Sequence, residues 1–212
     1  MALPRVLLAD DHTLLVDAFR KLLELDCNIV GSVTDGLALL EVAPGLRPDV
    51  AVVDIAMPLL NGLEAGRRLK AMMPAIKLIF LTMNEDPELA MEAMRGRASG
   101  YLLKSSAASE LFQAIRIALK GGSYVTPQIA KGMQDAFVRN PEGGGHDKKL
   151  TPRQREVLQL LAEGKSMKEA GAILQLTART IAFHKYRMME NLGVKTTADL
   201  IQFAIKNHVL VV

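Results

Sequence analysis

The sequence has a single cysteine, Cys27, and lacks any apolar run of the roughly 20 residues that a membrane-spanning helix needs. One cysteine excludes an internal disulfide framework and suits a reducing compartment. The first apolar run is only a few residues long and ends at Asp10, which indicates a strand rather than a signal peptide. We therefore expect a cytoplasmic protein without membrane contact, with Cys27 in its core.

Two common kinds of ligand site also lack support. The four histidines are scattered along the chain, so no metal site built on histidine is indicated. Gly143–Gly145 are three consecutive glycines, but the Lys-Ser/Thr step of a phosphate-binding loop does not follow them. The chain shows no internal repeat. Half of its residues are apolar, which is typical of a folded globular protein.

The net charge of +3 is unevenly distributed. Residues 1–137 carry 14 Lys+Arg against 16 Asp+Glu, whereas residues 138–212 carry 12 against 7. A basic C-terminal part favours a polyanionic partner, most simply nucleic acid.

The first 120 residues alternate short apolar runs with helix-spaced Leu, Ala and Met. The runs predict strands at 6–9, 29–33, 50–53, 76–81 and 100–103, and helices near 13–25, 36–43, 62–72, 87–95 and 107–120. Five βα units of this kind predict a parallel five-stranded sheet with helices on both faces.

The remainder divides into a connecting segment and a helical part. Thr126-Pro127 predicts a short helix to about Val138, and residues 140–147 have the composition of a flexible linker. From Leu150 the pattern predicts four helices. We therefore expect an α/β domain at 1–123, a linker with a short helix at 124–148 and an all-α domain at 149–212.

Polar residues follow four of the predicted strands. Strand 1 runs into Asp10-Asp11, strand 3 into Asp54, strand 4 into Thr82 and strand 5 into Lys104. Ligands of parallel sheets bind beyond these carboxyl ends, and clustered carboxylates favour Mg²⁺. Asp54 is a candidate nucleophile that forms an aspartyl-phosphate, with Thr82 and Lys104 contacting the phosphoryl group. Each polar residue taken singly is explained better as a cap of its strand or of the following helix, but five at the ends of four strands favour a site.

These residues resemble the receiver domain of response regulators. The resemblance is carried by Asp10-Asp11, the segment Asp54-Ile-Ala-Met-Pro-Leu-Leu-Asn-Gly62, Leu81-Thr82 and Gly100-Tyr-Leu-Leu-Lys104. It implies a flavodoxin-like fold with strand order 2-1-3-4-5. It also implies that Asp54 is the phosphoacceptor, that Mg²⁺ is held by Asp10, Asp11, Asp54 and the backbone carbonyl of Ala56, and that Thr82 and Tyr101 are a switch pair beside Lys104.

The sequence departs from the receiver pattern at two positions. Ser105 follows the lysine, where many receivers have a proline after a cis peptide bond. Ala56, two residues after Asp54, has no polar side chain to orient a hydrolytic water. We predict that this side chain does not set the lifetime of the phosphoryl group.

The helical part contains a helix-turn-helix pattern. Thr151-Pro152 begins a first helix, Ser166 caps a second through about Leu174, and residues 175–177 lead into a third that ends near Leu192. In such motifs the second helix of the pair lies in the DNA major groove.

On the third helix, Ile181, Met188 and Leu192 share a face and are expected in the core. The other side chains are candidate DNA contacts. Basic residues would bind phosphates, Ala182 and Phe183 would contact thymine methyls, and Tyr186 would use its hydroxyl. Phe183 is alternatively a core aromatic, and His184 supports the helix or touches a phosphate. The candidate set is Arg179, Thr180, Ala182, Phe183, His184, Lys185, Tyr186, Arg187 and Lys195.

The segment 150–200 resembles the LuxR-type DNA-binding domain, through Leu150-Thr-Pro-Arg-Gln-Arg-Glu156, Thr180-Ile181, His184 and Asn191-Leu-Gly-Val194. Together with a receiver, this is the organisation of the NarL/FixJ class. The resemblance implies dimerisation through a last helix at about 197–206, with contacts from Leu200, Ile201, Phe203 and Ala204. Ala170-Gly171 and the non-basic Ala182 depart from the family pattern.

The combined prediction is a transcription regulator, not an enzyme. A sensor histidine kinase would phosphorylate Asp54 with Mg²⁺, and the active homodimer would bind a palindromic double-stranded DNA operator. One alternative is a phosphohydrolase with Asp54 as nucleophile, but such enzymes have a second acid where Ala56 stands. Another is a regulator that binds DNA regardless of phosphorylation.

Overall fold

The computed structural model describes residues 2–139 and 150–206. The chain divides into two compact units, Met1–Gly143 and Gly144–Val212. Residues 140–149, which contain the predicted flexible linker, lie outside the described residues, as do residues 207–212. Within the described ranges, no helix combines the length and the apolar character that crossing a bilayer requires.

The first unit is a parallel sheet with six helices. Its strands are β1 (Arg5–Ala9), β2 (Asn28–Val33), β3 (Val50–Asp54), β4 (Lys77–Thr82), β5 (Gly100–Leu103) and β6 (Tyr124–Val125). Its helices are α1 (Thr13–Leu23), α2 (Gly36–Leu46), α3 (Gly62–Met72), α4 (Pro87–Arg95), α5 (Ala107–Leu119) and α6 (Pro127–Arg139).

The sheet has the order β2-β1-β3-β4-β5-β6, and neighbouring strands are parallel. The predicted α/β class and the order 2-1-3-4-5 are confirmed. The sixth strand was not predicted, because two residues are too few to show a hydrophobic period. In β6, Val125 pairs with Tyr101 of β5.

The core of this unit lies on both faces of the sheet. Every residue of β3 is buried, which explains its unbroken apolar run. On one face, α1 and α5 pack through residues such as Phe19 and Ile115 against Val52 and Leu81. On the other face lie α2 and α3. Gly66 of α3 allows the ring of Phe80 to approach, since a Cβ there would lie 2.6 Å from it.

Side-chain caps fix where the helices begin. The carboxylates of Asp35 and Asp86 and the amide oxygen of Asn61 each accept a hydrogen bond from a backbone N–H in the first turn of the following helix. Such caps satisfy N–H groups that have no partner within the helix. They begin α2, α3 and α4 directly after the loops that follow strand ends.

The second unit contains α7 (Pro152–Ala162), α8 (Met167–Leu174), α9 (Ala178–Leu192) and α10 (Thr197–Lys206). These are the predicted four helices of an all-α domain. Thr151 and Ser166 begin α7 and α8 with capping boxes. The core consists of fully buried apolar residues from all four helices: Val157, Leu158, Leu160, Ala170, Ile181, Met188, Leu200 and Ala204.

Two features of the sequence stabilise the turn between α8 and α9. Arg153 of α7 donates a hydrogen bond of 2.6 Å to the carbonyl oxygen of Leu174 and pairs with Glu156 at 2.7 Å. Gly171 allows the turn to pass close to α8, because a Cβ at this position would lie 2.6 Å from the carbonyl oxygen of Leu176. The departure from the family pattern at Ala170-Gly171 therefore has a packing reason.

Candidate functional site

Three of the predicted pocket residues form one ion-pair cluster at the carboxyl edge of the sheet. The Nζ atom of Lys104 lies 2.9 Å from Oδ2 of Asp10 and 2.8 Å from Oδ2 of Asp54. Asp10 follows β1, Asp54 ends β3 and Lys104 follows β5, and all three side chains are buried. Parallel strands end at the same edge, so side chains distant in sequence meet there.

Burial and neighbouring charges shift the pKa values of both Asp54 and Lys104. Burial is the main cause that raises the pKa of Asp54, and the negative charge of Asp10 adds to it, while Lys104 acts in the opposite direction. For Lys104, burial lowers the pKa, but the contacts with Asp54 and Asp10 outweigh it and the net direction is upward. The ammonium group is therefore held as a cation between two carboxylates.

Asp11 and His12 border the same cluster on its solvent side. The Nδ1 atom of His12 lies 3.1 Å from Oδ1 of Asp10 and 3.0 Å from Oδ1 of Asp11. His12 was not among the predicted site residues, although its place directly after the aspartate pair is a signal that pointed to it.

The donor set fits a divalent cation. Ligand atoms of Asp10, Asp11, His12 and Asp54 all lie within 4.8 Å of one another. Carboxylate oxygens are the ligands that Mg²⁺ prefers, and the ion keeps several waters, so it does not need to contact every group. The imidazole of His12 is less suited to this ion than the three carboxylates are.

The loop after β3 is fixed around Asp54 by backbone contacts. The N–H of Ala56 donates to Oδ1 of Asp54 at 3.2 Å, and the N–H of Gly62 donates to the carbonyl oxygen of Ile55 at 2.9 Å. A Cβ on Gly62 would lie 2.0 Å from the carbonyl oxygen of Asp54. Glycine at the start of α3 therefore allows the helix to approach the end of β3.

Thr82 and Tyr101, the predicted switch pair, occupy neighbouring strands. The Thr82 hydroxyl accepts a hydrogen bond of 2.9 Å from the N–H of Asn84. Tyr101 is fully buried and therefore turned inward. Burial is the main cause that raises its pKa, with the Thr82 hydroxyl acting in the opposite direction. The Lys104–Ser105 peptide bond, which the sequence left open, is trans.

The third helix of the second unit presents two aromatic rings to solvent. Ile181 and Met188 of α9 are fully buried, as predicted, whereas the side chains of Phe183 and Tyr186 are each 61% exposed. The alternative that Phe183 is a core aromatic is therefore wrong. Arg179 and Arg187 are exposed on the same side of the helix.

The remaining candidate DNA contacts differ in exposure. Lys195 is exposed, Ala182 and Lys185 are half-buried, and the Nζ atom of Lys185 lies 5.8 Å from the ring centre of Tyr186. The Thr180 hydroxyl lies 2.9 Å from that of Thr177, the N-cap of α9.

His184 lies on the side of α9 that faces the rest of the unit. It is half-buried, and burial followed by the positive charge of Arg153 lowers its pKa. This placement agrees with a role in supporting the helix.

The four predicted dimer contacts on α10 differ in burial. Leu200 and Ala204 are fully buried, and α10 packs on α7, so in this conformation the two side chains offer no surface to a second chain. Ile201 and Phe203 are half-buried, and Ile205, which was not predicted, is 47% exposed. The apolar pattern of α10 did not distinguish its inward face from its outward one.

Comparisons with known proteins match both units. Residues 6–116 match the family described as response regulator receiver domain, and residues 148–204 match the bacterial regulatory proteins of the luxR family. The chain is a response regulator of the NarL/FixJ class. This response regulator is thus a DNA-binding transcriptional regulator, and its class is not enzymatic in general.

Curated relatives of this response regulator match over nearly the whole chain. The transcriptional regulatory protein MctR of Rhizobium johnstonii is 33% identical over 208 residues, which cover 97% of this chain and 95% of that protein. The oxygen regulatory protein NreC of Staphylococcus carnosus is 28% identical over 214 residues, which cover 97% and 99% of the two chains.

Solved structures of RcsB from Salmonella typhimurium also resemble this response regulator. One, described in terms of conformational dynamism for DNA interaction, is 28% identical with a TM-score of 0.66 and covers 96% of this chain and 97% of its own. Another, bound to a promoter in the presence of the phosphomimetic BeF3-, is 29% identical with a TM-score of 0.64 and covers 97% of this chain and 100% of its own.

Proposed function

We propose that Asp54 is the phosphoacceptor of this response regulator and that its phosphorylation controls DNA binding by α9. The observation that carries the proposal is the double ion pair of Lys104 with Asp10 and Asp54. A carboxylate can accept a phosphoryl group as an aspartyl-phosphate. A buried cation 2.8 Å from that carboxylate is placed to offset the charge of the incoming phosphoryl oxygens.

Mg²⁺ is the cofactor that this donor set favours. Asp10, Asp11, Asp54 and the backbone carbonyl of Ala56 would hold it, with Asp10 acting partly through water. The ion would neutralise negative charge on the phosphoryl group during transfer. Asp11 is 38% exposed, so the cation can enter from the solvent side.

The switch would work through Thr82 and Tyr101. A phosphoryl group adds up to about −2 charge beside Lys104, and the Thr82 hydroxyl would donate a hydrogen bond to it. To form this hydrogen bond, the Thr82 side chain would move toward the phosphoryl group, and this movement would change the space next to the buried Tyr101 ring. A local change of charge can bias a two-state element in this way.

DNA contact is proposed for the exposed face of α9. Arg179, Lys185, Arg187 and Lys195 would bind phosphates, and Ala182, Phe183 and Tyr186 would face bases, while Thr180 and His184 support the helix N-terminus and its inner side. A homodimer formed in part through Ile201 and Phe203 would bind a palindromic operator, because operator symmetry follows dimer symmetry. RcsB provides a precedent, since its structures include a DNA complex and dimers bound to DNA.

A sensor histidine kinase in the cytoplasm is the proposed phosphodonor. The sequence suggested two alternative functions. A phosphohydrolase is disfavoured because Ala56 provides no second acid beside Asp54. A regulator indifferent to phosphorylation is disfavoured because the buried Asp10–Lys104–Asp54 cluster would then serve no purpose beyond packing, which apolar residues perform at lower desolvation cost.

Selection from a randomised DNA pool tests both domains together. Wild type and Asp54→Ala would be compared with and without Mg²⁺ and a small phosphodonor. We expect a palindrome whose enrichment increases with phosphodonor in the wild type only. Equal enrichment under all conditions would contradict control by phosphorylation. Absence of any enriched sequence would contradict the role of α9.

A further inference from the structure

The exposed face of α9 combines apolar rings with flanking cations. At 3.6 residues per turn, Arg179, Phe183 and Tyr186 lie on one face, opposite the fully buried Ile181 and Met188. The whole chain has six phenylalanines, three tyrosines and no tryptophan. Two of these nine rings are exposed side by side on the helix that the proposed function places against DNA.

The part of this face that would meet the bases has little hydrogen-bonding capacity. Ala182 and Phe183 have none in their side chains, and Tyr186 has a single hydroxyl. The exposed guanidinium groups of Arg179 and Arg187 flank the rings, and in Arg187 the group lies 3.9 Å from the carboxylate of Glu190. The side chains that most commonly read guanine and adenine by paired hydrogen bonds are Arg, Lys, Asn and Gln.

In the major groove of B-DNA, each base pair presents hydrogen-bonding groups, and only thymine adds an apolar group, its C5 methyl. A phenylalanine that enters the groove would leave those polar groups without partners unless it is placed over a methyl. Burial of an aromatic ring against such a group removes apolar area from water on both sides. The Phe183 ring on this face therefore matches thymine better than any other base.

We propose that this response regulator selects its operator through contact between the Phe183 ring and the C5 methyl groups of thymines, rather than through paired hydrogen bonds to purines. The inference rests on the proposed function of α9, and it makes the contact of Phe183 with thymine methyls, which the sequence suggested as one of several contacts, the main source of base discrimination. Arg179 supplies phosphate attraction, which is sensitive to salt, and Phe183 supplies discrimination between bases.

The test replaces single methyl groups in the DNA. The operator is first selected from a randomised pool with the full-length phosphorylated protein. Each thymine of one half-site is then replaced by uracil, which removes only the methyl, and binding is measured by fluorescence anisotropy. We expect an affinity loss of about fourfold at each contacted thymine, as for one buried methylene. Replacing cytosines by 5-methylcytosine elsewhere in the half-site is a control for groove hydration and should have little effect.

Two variants make the test specific to Phe183. In Phe183→Ala the uracil penalty should disappear, because the methyl has lost its partner. In the matched control Arg179→Ala, affinity and salt dependence should decrease while the uracil penalty remains. Phe183 is 61% exposed, so its substitution leaves the fold in place. Phe183→Leu, which keeps an apolar side chain, should retain part of the penalty.

The possible outcomes separate the inference from the proposed function. An operator that wild type binds equally well with uracil would overturn the inference and leave DNA binding by α9 intact. The same conclusion follows if Phe183→Ala keeps the full uracil penalty. A pool that yields no enriched sequence would overturn the proposed function, and the inference with it.

Discussion

The hydroxyl of Thr126 donates a hydrogen bond of 2.7 Å to the carboxylate of Glu110, and the same oxygen accepts one of 3.2 Å from the N–H of Leu103. The N–H of Thr126 donates to the carbonyl oxygen of Tyr101 at 3.0 Å. One buried threonine thus connects β5, the strand that carries Tyr101, with α5 and the start of α6. Residue 126 therefore attaches the start of α6 to both β5 and α5.

Replacing Thr126 by valine should destabilise the receiver by about 1–3 kcal/mol, because the buried N–H of Leu103 loses the oxygen that it contacts. Urea denaturation followed by circular dichroism measures the change. Thr126→Ser keeps the hydroxyl and is the matched control. Equal stability of the valine and serine variants would show that the hydroxyl contributes nothing.

Gly171→Ala should destabilise the DNA-binding domain by about 1–3 kcal/mol through overpacking, although alanine is the better helix former. The added Cβ would lie 2.6 Å from the carbonyl oxygen of Leu176. Thermal unfolding and operator affinity are the two measurements. Gly45→Ala in α2 is the control, since no atom lies within 4 Å of its added Cβ, and it should be neutral or stabilising. A stabilising effect at both positions would refute the packing argument.

Ala56 has no polar side chain beside Asp54, so hydrolysis of the aspartyl-phosphate lacks an orienting group at this position. Ala56→Gln should accelerate dephosphorylation by about tenfold or more, because a placed polar group can orient or activate water. The decay of phosphorylated protein after removal of the phosphodonor gives the rate. Ala56→Val should leave it nearly unchanged. If both variants decay as the wild type does, residue 56 has no influence on the lifetime.

Glu64 is a buried carboxylate whose pKa falls below its usual value. Burial raises the pKa, but the paired Arg67 and Arg68 outweigh it. A carboxyl group whose pKa is lower in the folded state stabilises the fold at pH values above its unfolded-state pKa. This stabilisation is lost as the pH falls through the folded-state pKa. Glu64→Gln should therefore lower the free energy of unfolding by about 1–2 kcal/mol near neutral pH.

The difference in the free energy of unfolding between wild type and Glu64→Gln should shrink below about pH 4, because the Glu64 carboxyl becomes protonated there. Unfolding free energies measured from pH 3 to pH 7 provide the comparison, with the exposed Glu88→Gln as control. A difference that is constant over this range would mean that the charge of Glu64 is not the stabilising factor.

Much of the site was predictable because strand ends meet by topology. Asp10, Asp54 and Lys104 were predicted to be neighbours from their places after apolar runs, and the structure brings the Nζ atom of Lys104 within 3 Å of both carboxylates. His12 was missed because the prediction followed the aspartate pair and not the histidine directly after it, which carries no periodic signal of its own. Its ring meets Asp10 and Asp11 only through the local geometry of the loop after β1.

The parts that sequence could not predict depend on which surfaces cover one another. Leu200 and Ile201 are equally apolar, yet one is buried within its domain and the other is half-buried. Periodicity defines a face of a helix but not the neighbour that covers it. The segment expected to be a linker with a short helix contains that helix as α6 and also β6, but the packing of α6 on α4, with Gly132 against Pro87, was not predicted.

The short strand β6 also has a protective consequence for the isolated receiver. It occupies the outer edge of β5, where unpaired backbone groups would otherwise be a template for another chain. A fragment cut at residue 116, where the family match ends, would leave that edge bare and prone to polymerise. A fragment that continues through residue 139 keeps Gly100 and Tyr101 of β5 paired with the two residues of β6.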